Sequence, residues 1–196
     1  MAVYTKISKK DISYINRKFD IEKILEFKGI KQGIENTNYL LKSKNKKFIL
    51  TIFEKRVSKK ELPFFMNLMD KLNKSKINCP KPQTKKDGGY LINLKNKAAC
   101  IVSFLNGKDK KSLNFKNCYD IGKMIAEMHQ STKKMNLTRK NSMGVRNLNP
   151  LLKSIRFKSK KFTNVEKFLK NNFKDIKTKW PKNLPNGVIH GDLFID

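Results

Sequence analysis

Arginine is scarce in this chain. It occurs only at 17, 56, 139, 146 and 156, although Lys and Arg together number 45 against 16 acidic residues and the formal net charge is +29. A reader of nucleic-acid grooves concentrates Arg and Lys on one element. Here lysines are scattered in pairs such as Lys9-Lys10, Lys46-Lys47, Lys59-Lys60, Lys85-Lys86 and Lys110-Lys111. The pattern reads as a solvated basic surface whose positive field favours phosphorylated anions, and no nucleic-acid partner is expected. Cysteine is scarce too: Cys79, Cys100 and Cys118 are odd in number and contain no C-x-x-C pair, which excludes a zinc finger or a disulfide framework. Burial as free thiols is the expectation. No apolar run reaches membrane-spanning length, and the opening MAVYTKISKKDISYINRKF has no continuous apolar stretch, so neither a membrane partner nor a secretory signal is expected. A soluble, cytoplasmic protein follows.

Glycine (9) and proline (6) are few while 38% of residues are hydrophobic, which argues against general disorder. There is no internal repeat or low-complexity linker. A chain of 196 residues holds one ordinary domain or two small lobes.

The periodicity divides it. Residues 11–26 carry apolar positions at mixed helical spacing, for one or two short helices that Ser8 or Asp11 could cap. Period-two runs then predict strands at Tyr39–Leu41 and Phe48–Phe53, joined by a turn around Lys44-Asn45-Lys46 and preceded by a glycine-bearing turn. Residues 58–76 predict a helix with Ser58 as cap and Glu61 as its capping-box partner. Pro80, Pro82 and the Asp87-Gly88-Gly89 turn lead into strands at Tyr90–Leu94 and Ala98–Leu105. After Asn106-Gly107 the pattern becomes helical, with Cys118, Ile121, Ile125 and Met128 on one stripe and more amphipathic helix from Leu148 to Leu169. The expectation is α+β: a strand-rich lobe over 1–105 and a mainly helical portion over 106–196.

The chain closes on VIHGDLFID, residues 188–196. A glycine-bearing turn between strands, a helix, a second strand pair, helices and then His-x-Asp is the order of parts in protein-kinase-like enzymes. The form HGDLFID resembles the aminoglycoside and choline phosphotransferase branch of that fold. FKGIKQGIENTNYLL, FILTIFEKRVSKKELPFFMNLMDKL, Cys79-Pro80-Lys81-Pro82 and WPKNLPNGVIHGDLFID are together similar to the bacterial homoserine kinases within it.

That resemblance implies transfer of the γ-phosphoryl group of ATP to the side-chain hydroxyl of L-homoserine, a small-molecule acceptor used in threonine synthesis. Choline or an aminoglycoside is the alternative acceptor, and a basic nucleic-acid-binding protein is the alternative of another class. Asp192 would orient the acceptor hydroxyl and take its proton, with His190 packed beneath the loop as a structural residue. Gly29 and Gly33, with Glu35, Asn36, Thr37 and Asn38, would form the phosphate-covering turn, where main-chain N–H groups and Asn or Thr side chains donate to phosphate. Thr51 occupies the position at which kinases carry a strand lysine, so Lys55, two alternations on, is the available cation. Ser103 to Leu105 would hydrogen-bond adenine, with Ile101 flanking the base. The resemblance also implies Mg²⁺, whose Asn ligand is expected one position after Asp196 and whose Asp ligand is expected further on. The chain is therefore expected to be truncated within the catalytic loop and inactive as it stands. Glu61 or Asp70 could pair with a phosphate-binding base.

Overall fold

Alternation of apolar side chains builds the front of the molecule. The computed structural model describes residues 3–33, 35–54, 58–108, 110–141, 144–155 and 163–195. Five strands, β1 (Glu26–Gly29), β2 (Thr37–Lys42), β3 (Lys47–Ile52), β4 (Leu91–Leu94) and β5 (Lys97–Ser103), form one antiparallel sheet in the order β1-β2-β3-β5-β4. The β4–β5 turn is Lys95-Asn96, both at positive φ (54° and 63°), the geometry that matches strand twist in a two-residue hairpin.

Successive residues point to opposite faces, so β3, β4 and β5 feed two cores. On one face Tyr39, Leu41, Phe48, Leu50, Ile52, Ile92, Leu94, Ala99 and Ile101 are buried with Ile12 and Ile15 of α1 (Lys9–Lys18) and with Phe19 and Ile24. On the other, Cys100 and Val102, with Ile49, Phe53 and Leu91, meet Phe65, Met66 and Met69 of α2 (Leu62–Lys74). Each fully buried Leu, Ile or Phe here is worth about 1.5–3 kcal/mol relative to exposure. The expected antiparallel sheet with a helix against it is present, and α1 covers its reverse.

Helix starts follow local chemistry. Ser8 and Asp11 cap α1 reciprocally, Asp11 Oδ2 accepting the Ser8 N–H at 2.7 Å. The helix ends at Lys18, so Ile21, Ile24 and Leu25 lie beyond it. Ser58 does not cap α2. The Glu61 N–H instead donates to the Ser58 carbonyl at 2.9 Å in a separate turn, and the helix begins with Pro63 in its first turn, where a missing N–H costs no hydrogen bond.

Contacts divide the chain into two units, Met1–Leu137 with Val188–Asp196, and Thr138–Gly187. The first includes α3 (Phe115–Lys133), capped by a reciprocal Asn114–Asn117 pair, on which Ile121, Ile125 and Met128 are half-buried but Cys118 is exposed, against the expected burial. The second holds α4 (Val145–Ser154) and α5 (Thr163–Lys179). The helical run expected from Leu148 to Leu169 is broken, since Ile155 is already extended. Among the described residues no helix is long and apolar enough to cross a membrane.

Candidate functional site

Strand parity decides which side chains share the α2 face. Counting from Cys100 and Val102 through the register, that face carries Thr51 and Ile49 on β3, Asn38 and Leu40 on β2, and Lys28 on β1. Thr51 donates its hydroxyl to Asn38 Oδ1 at 2.9 Å. With its oxygen engaged, the Asn38 amide nitrogen is left to present donors. Leu40 and Ile49 are register partners, both half-buried, and Lys28 opposes Leu40. A recess of about 430 Å³ lined by Leu25, Glu26, Phe27, Lys28, Leu40 and Lys42 opens at this end of the sheet.

The expected phosphate-covering residues lie between β1 and β2. Gly29 is the last residue of β1, and a Cβ added there would sit 2.9 Å from Val3 Cγ2, so that a side chain would force Val3 to shift. Gly33 has φ +93°, which also favours glycine. Asn36 accepts the Glu54 N–H through Oδ1 at 3.3 Å. Thr37 is fully buried on the α1 face, where its Oγ1 accepts from the N–H groups of Tyr4 (2.9 Å) and Thr5 (3.1 Å) and donates to Glu54 Oε1 (2.6 Å). The expected donation from the Thr37 side chain to phosphate is thus corrected: parity turns that hydroxyl away, and its main chain is paired with Ile52 of β3.

Lys55 lies outside the described residues. Ser103 ends β5, where its N–H donates to the Lys81 carbonyl at 2.9 Å and its Oγ accepts the Lys81 N–H at 2.9 Å. The Phe104 N–H donates to the Lys47 carbonyl at 3.2 Å. Leu105 is therefore the first residue after β5 whose main chain makes no hydrogen bond among the described residues. Ile101 cannot flank a base. It is fully buried opposite Leu50 in the α1-side core, one residue out of phase with the α2 face, where Val102 and Ile49 lie instead.

Asp192 lies in an exposed segment without regular secondary structure, after Gly191, whose φ is +76°. His190 is exposed, so the expected packing of its ring beneath the loop is not found. Among the described residues no hydrogen bond or ion pair joins Asp192 to the sheet, and no three His, Cys, Asp or Glu side chains converge as a metal site. Asp196 lies outside the described residues. Asp70 pairs with Lys74 at 2.7 Å along α2 and not with a base near Thr51.

Electrostatics single out residues the sequence reading missed. Glu54, just after β3, is 9% exposed at its side chain and ion-pairs with Lys97, which also donates to Thr5 Oγ1 at 2.7 Å. Burial pushes the Glu54 carboxyl up, but the Lys97 ammonium and the Thr37 and Thr5 hydroxyls outweigh it and hold the group below the ordinary carboxylate value. On the α2 face, burial pushes the Cys100 thiol up to about 12. Lys28, Leu40 and Ile49 could have been found by carrying the parity of Thr51 through the hairpin register. Thr5, Glu54 and Lys97 left no local signal, because they lie 49 and 43 positions apart along the chain.

A model of the phosphotransferase enzyme family matches residues 26–196. Homoserine kinase of Rhizobium etli is 36% identical over 197 aligned positions, covering all of this chain and 61% of its own length. Homoserine kinase of Paramagnetospirillum magneticum is 38% identical, covering all of this chain and 60% of its own. The chain thus spans about three fifths of the curated relatives it matches. Among solved structures, AMP-bound spectinomycin phosphotransferase superposes with a TM-score of 0.64 at 14% identity, over 97% of this chain and 65% of its own. A microcompartment-associated aminopropanol kinase superposes with a TM-score of 0.56 at 13% identity, over 74% and 48%. These two likenesses are of fold.

Proposed function

The chain belongs to the phosphotransferase enzyme family, and from that premise we propose that it forms the nucleotide-binding part of a cytoplasmic kinase that phosphorylates the side-chain hydroxyl of L-homoserine with ATP. The observation that supports this most is similarity to homoserine kinases along the whole chain at 36–38% identity. The boundary between a nucleotide lobe and a helical lobe is placed near residue 105.

In this reading adenine lies against the apolar pair Leu40 and Ile49 with Val102 beside them, and hydrogen-bonds the main chain at Leu105. The phosphates run toward the β1–β2 turn, where main-chain N–H groups at Gly33 and Asn36 and the Asn38 amide donate to them. Thr51 aims that amide, since its hydroxyl occupies the amide oxygen. Lys28 and Lys55 supply positive charge. Asp192 orients the acceptor hydroxyl and takes its proton as the phosphoryl group leaves ADP. ATP is proposed to arrive as its Mg²⁺ complex, the ion neutralising charge on the phosphates.

The test is phosphohomoserine formation from ATP, measured for the 196-residue chain and for the full product of its reading frame, with choline and an aminoglycoside as competing acceptors. Turnover of homoserine in preference to both is the expected result for the full product, with no useful turnover by the 196-residue chain. Preference for either competitor, or salt-dependent RNA binding without nucleotide turnover by the full product, would overturn the assignment.

A further inference from the structure

We propose that Glu54 is a positioning residue for the nucleotide: with Thr37 and Lys97 it fastens the N-terminal segment to the root of the β1–β2 turn and so sets the direction in which that turn meets phosphate. The proposal rests on the kinase reading of the turn.

One carboxylate gathers the parts. Glu54 Oε1 accepts from Thr37 Oγ1 (2.6 Å) and Thr5 Oγ1 (2.7 Å), Oε2 accepts from Lys97 Nζ, and the Glu54 N–H donates to Asn36 Oδ1 (3.3 Å). It therefore holds Asn36 and Thr37, consecutive residues where the turn enters β2. The N-terminal segment crosses the same root. Tyr4 and Thr5 donate their N–H groups to Thr37 Oγ1, the Tyr39 hydroxyl donates to the Thr5 carbonyl (3.0 Å) and accepts the Ile7 N–H (3.3 Å), and Val3 lies against Gly29, the other end of the turn. Both ends of the turn are thus tied to residues 3–7.

The cluster does not itself touch the nucleotide face. Thr37 and Asn38 are neighbours in β2 and point to opposite faces, so fixing Thr37 on the α1 side fixes where Asn38 points on the α2 side. Coupling through one peptide unit needs no longer pathway. A mostly buried ion pair is weak as a source of stability, because desolvation offsets its attraction, and an apolar pair of similar volume often serves a core equally well. A charged hub with three donors does what an apolar pair does not: it fixes orientation at both hydroxyls and one ammonium. That favours a role in geometry over one in adhesion.

The experiment uses the 196-residue chain, with ATP affinity by calorimetry and residue-resolved amide exchange without nucleotide. Glu54→Gln keeps the shape and removes the charge. We expect it to weaken ATP binding by about tenfold or more and to speed exchange at Asn36, Thr37 and Asn38 by about tenfold while Ile92 and Ile101 keep their protection. Asp87→Asn, which removes an exposed carboxylate that pairs with Lys85 and lies outside the cluster, should match the unsubstituted chain in both readouts. If Glu54→Gln does not fold, Thr5→Val removes one donor to the carboxylate and should give a smaller change in the same direction. Unchanged ATP affinity in a folded variant, or loss of protection spread evenly over the sheet, would overturn the proposal. Failure of the unsubstituted chain to bind ATP would instead overturn the kinase reading and with it the nucleotide role, while the exchange at residues 36–38 would still report whether Glu54 holds the turn.

Discussion

Replacing Thr37 by Val removes a hydroxyl from a fully buried position with almost no change in shape. No cavity forms, so the loss isolates the polar contribution. Three hydrogen bonds go: two accepted from the N–H groups of Tyr4 and Thr5, and one donated to Glu54. Tyr4 is 56% exposed, and water can take over its N–H. Thr5 is buried, so its orphaned N–H costs about 1–3 kcal/mol, and the lost bond to a carboxylate adds about 1.5–3 kcal/mol. The expected destabilisation is about 2.5–6 kcal/mol, a large share of the about 5–15 kcal/mol that holds a typical domain folded. Urea unfolding followed by circular dichroism at neutral pH reads this as a fall in midpoint at constant slope. Thr37→Ser should stay within about 1 kcal/mol of the unsubstituted chain, because it keeps every polar partner. A Thr37→Val loss of less than about 1 kcal/mol would show that water or a rearranged Thr5 replaces the hydroxyl and that the cluster is not the anchor it is drawn to be.

Acid should weaken the fold through Glu54 and Asp11. Burial raises both carboxyls but their partners prevail, so the folded values lie below the ordinary 4.5 and 3.8, and the stabilisation they bring is present above those values and lost as pH falls through the folded ones. Urea midpoints measured from neutral pH down to about pH 3 should fall, and fall less in Glu54→Gln; a midpoint that rises on acidification would contradict the sign. Iodoacetamide on the native chain should modify exposed Cys118 first and spare Cys100, whose thiol burial pushes up to about 12; peptide mass spectrometry showing early Cys100 labelling would mean the α2-side core opens readily. Ile101→Ala should cost about 2–5 kcal/mol while leaving ATP affinity intact, whereas weakened ATP binding without lost stability would return Ile101 to the nucleotide face. In the full product of the reading frame, Asp192→Asn should lower turnover about 100-fold with little change in ATP affinity, and an unchanged rate would remove Asp192 from the chemistry.

Much of the fold was legible because its signals are local. Period-two runs at Tyr39–Leu41 and Phe48–Phe53 marked strands, Asn106-Gly107 marked the change to helix, and the capping pair Ser8 and Asp11 marked the start of α1. Some errors were local as well. Pro63 set the start of α2 and Ser58 did not, because a ring that fixes φ and lacks an N–H suits the first turn regardless of an upstream cap.

What sequence alone determined was the type and order of most elements, together with the place of the motif VIHGDLFID in the chain, since periodicity, caps and motif spacing are properties of neighbouring residues. What only the tertiary structure decided was which face each strand residue serves and which distant groups meet. A strand read in isolation shows that Ile101 and Val102 face opposite ways but not which of them lies in the α1-side core, and a shift of one residue exchanges the two answers. Likewise Thr5 and Lys97, 92 residues apart, meet at Glu54 because folding the antiparallel sheet brings the end of β3 beside the start of β5 and lays the N-terminal segment over β2, and chain-local chemistry carries no record of such a meeting.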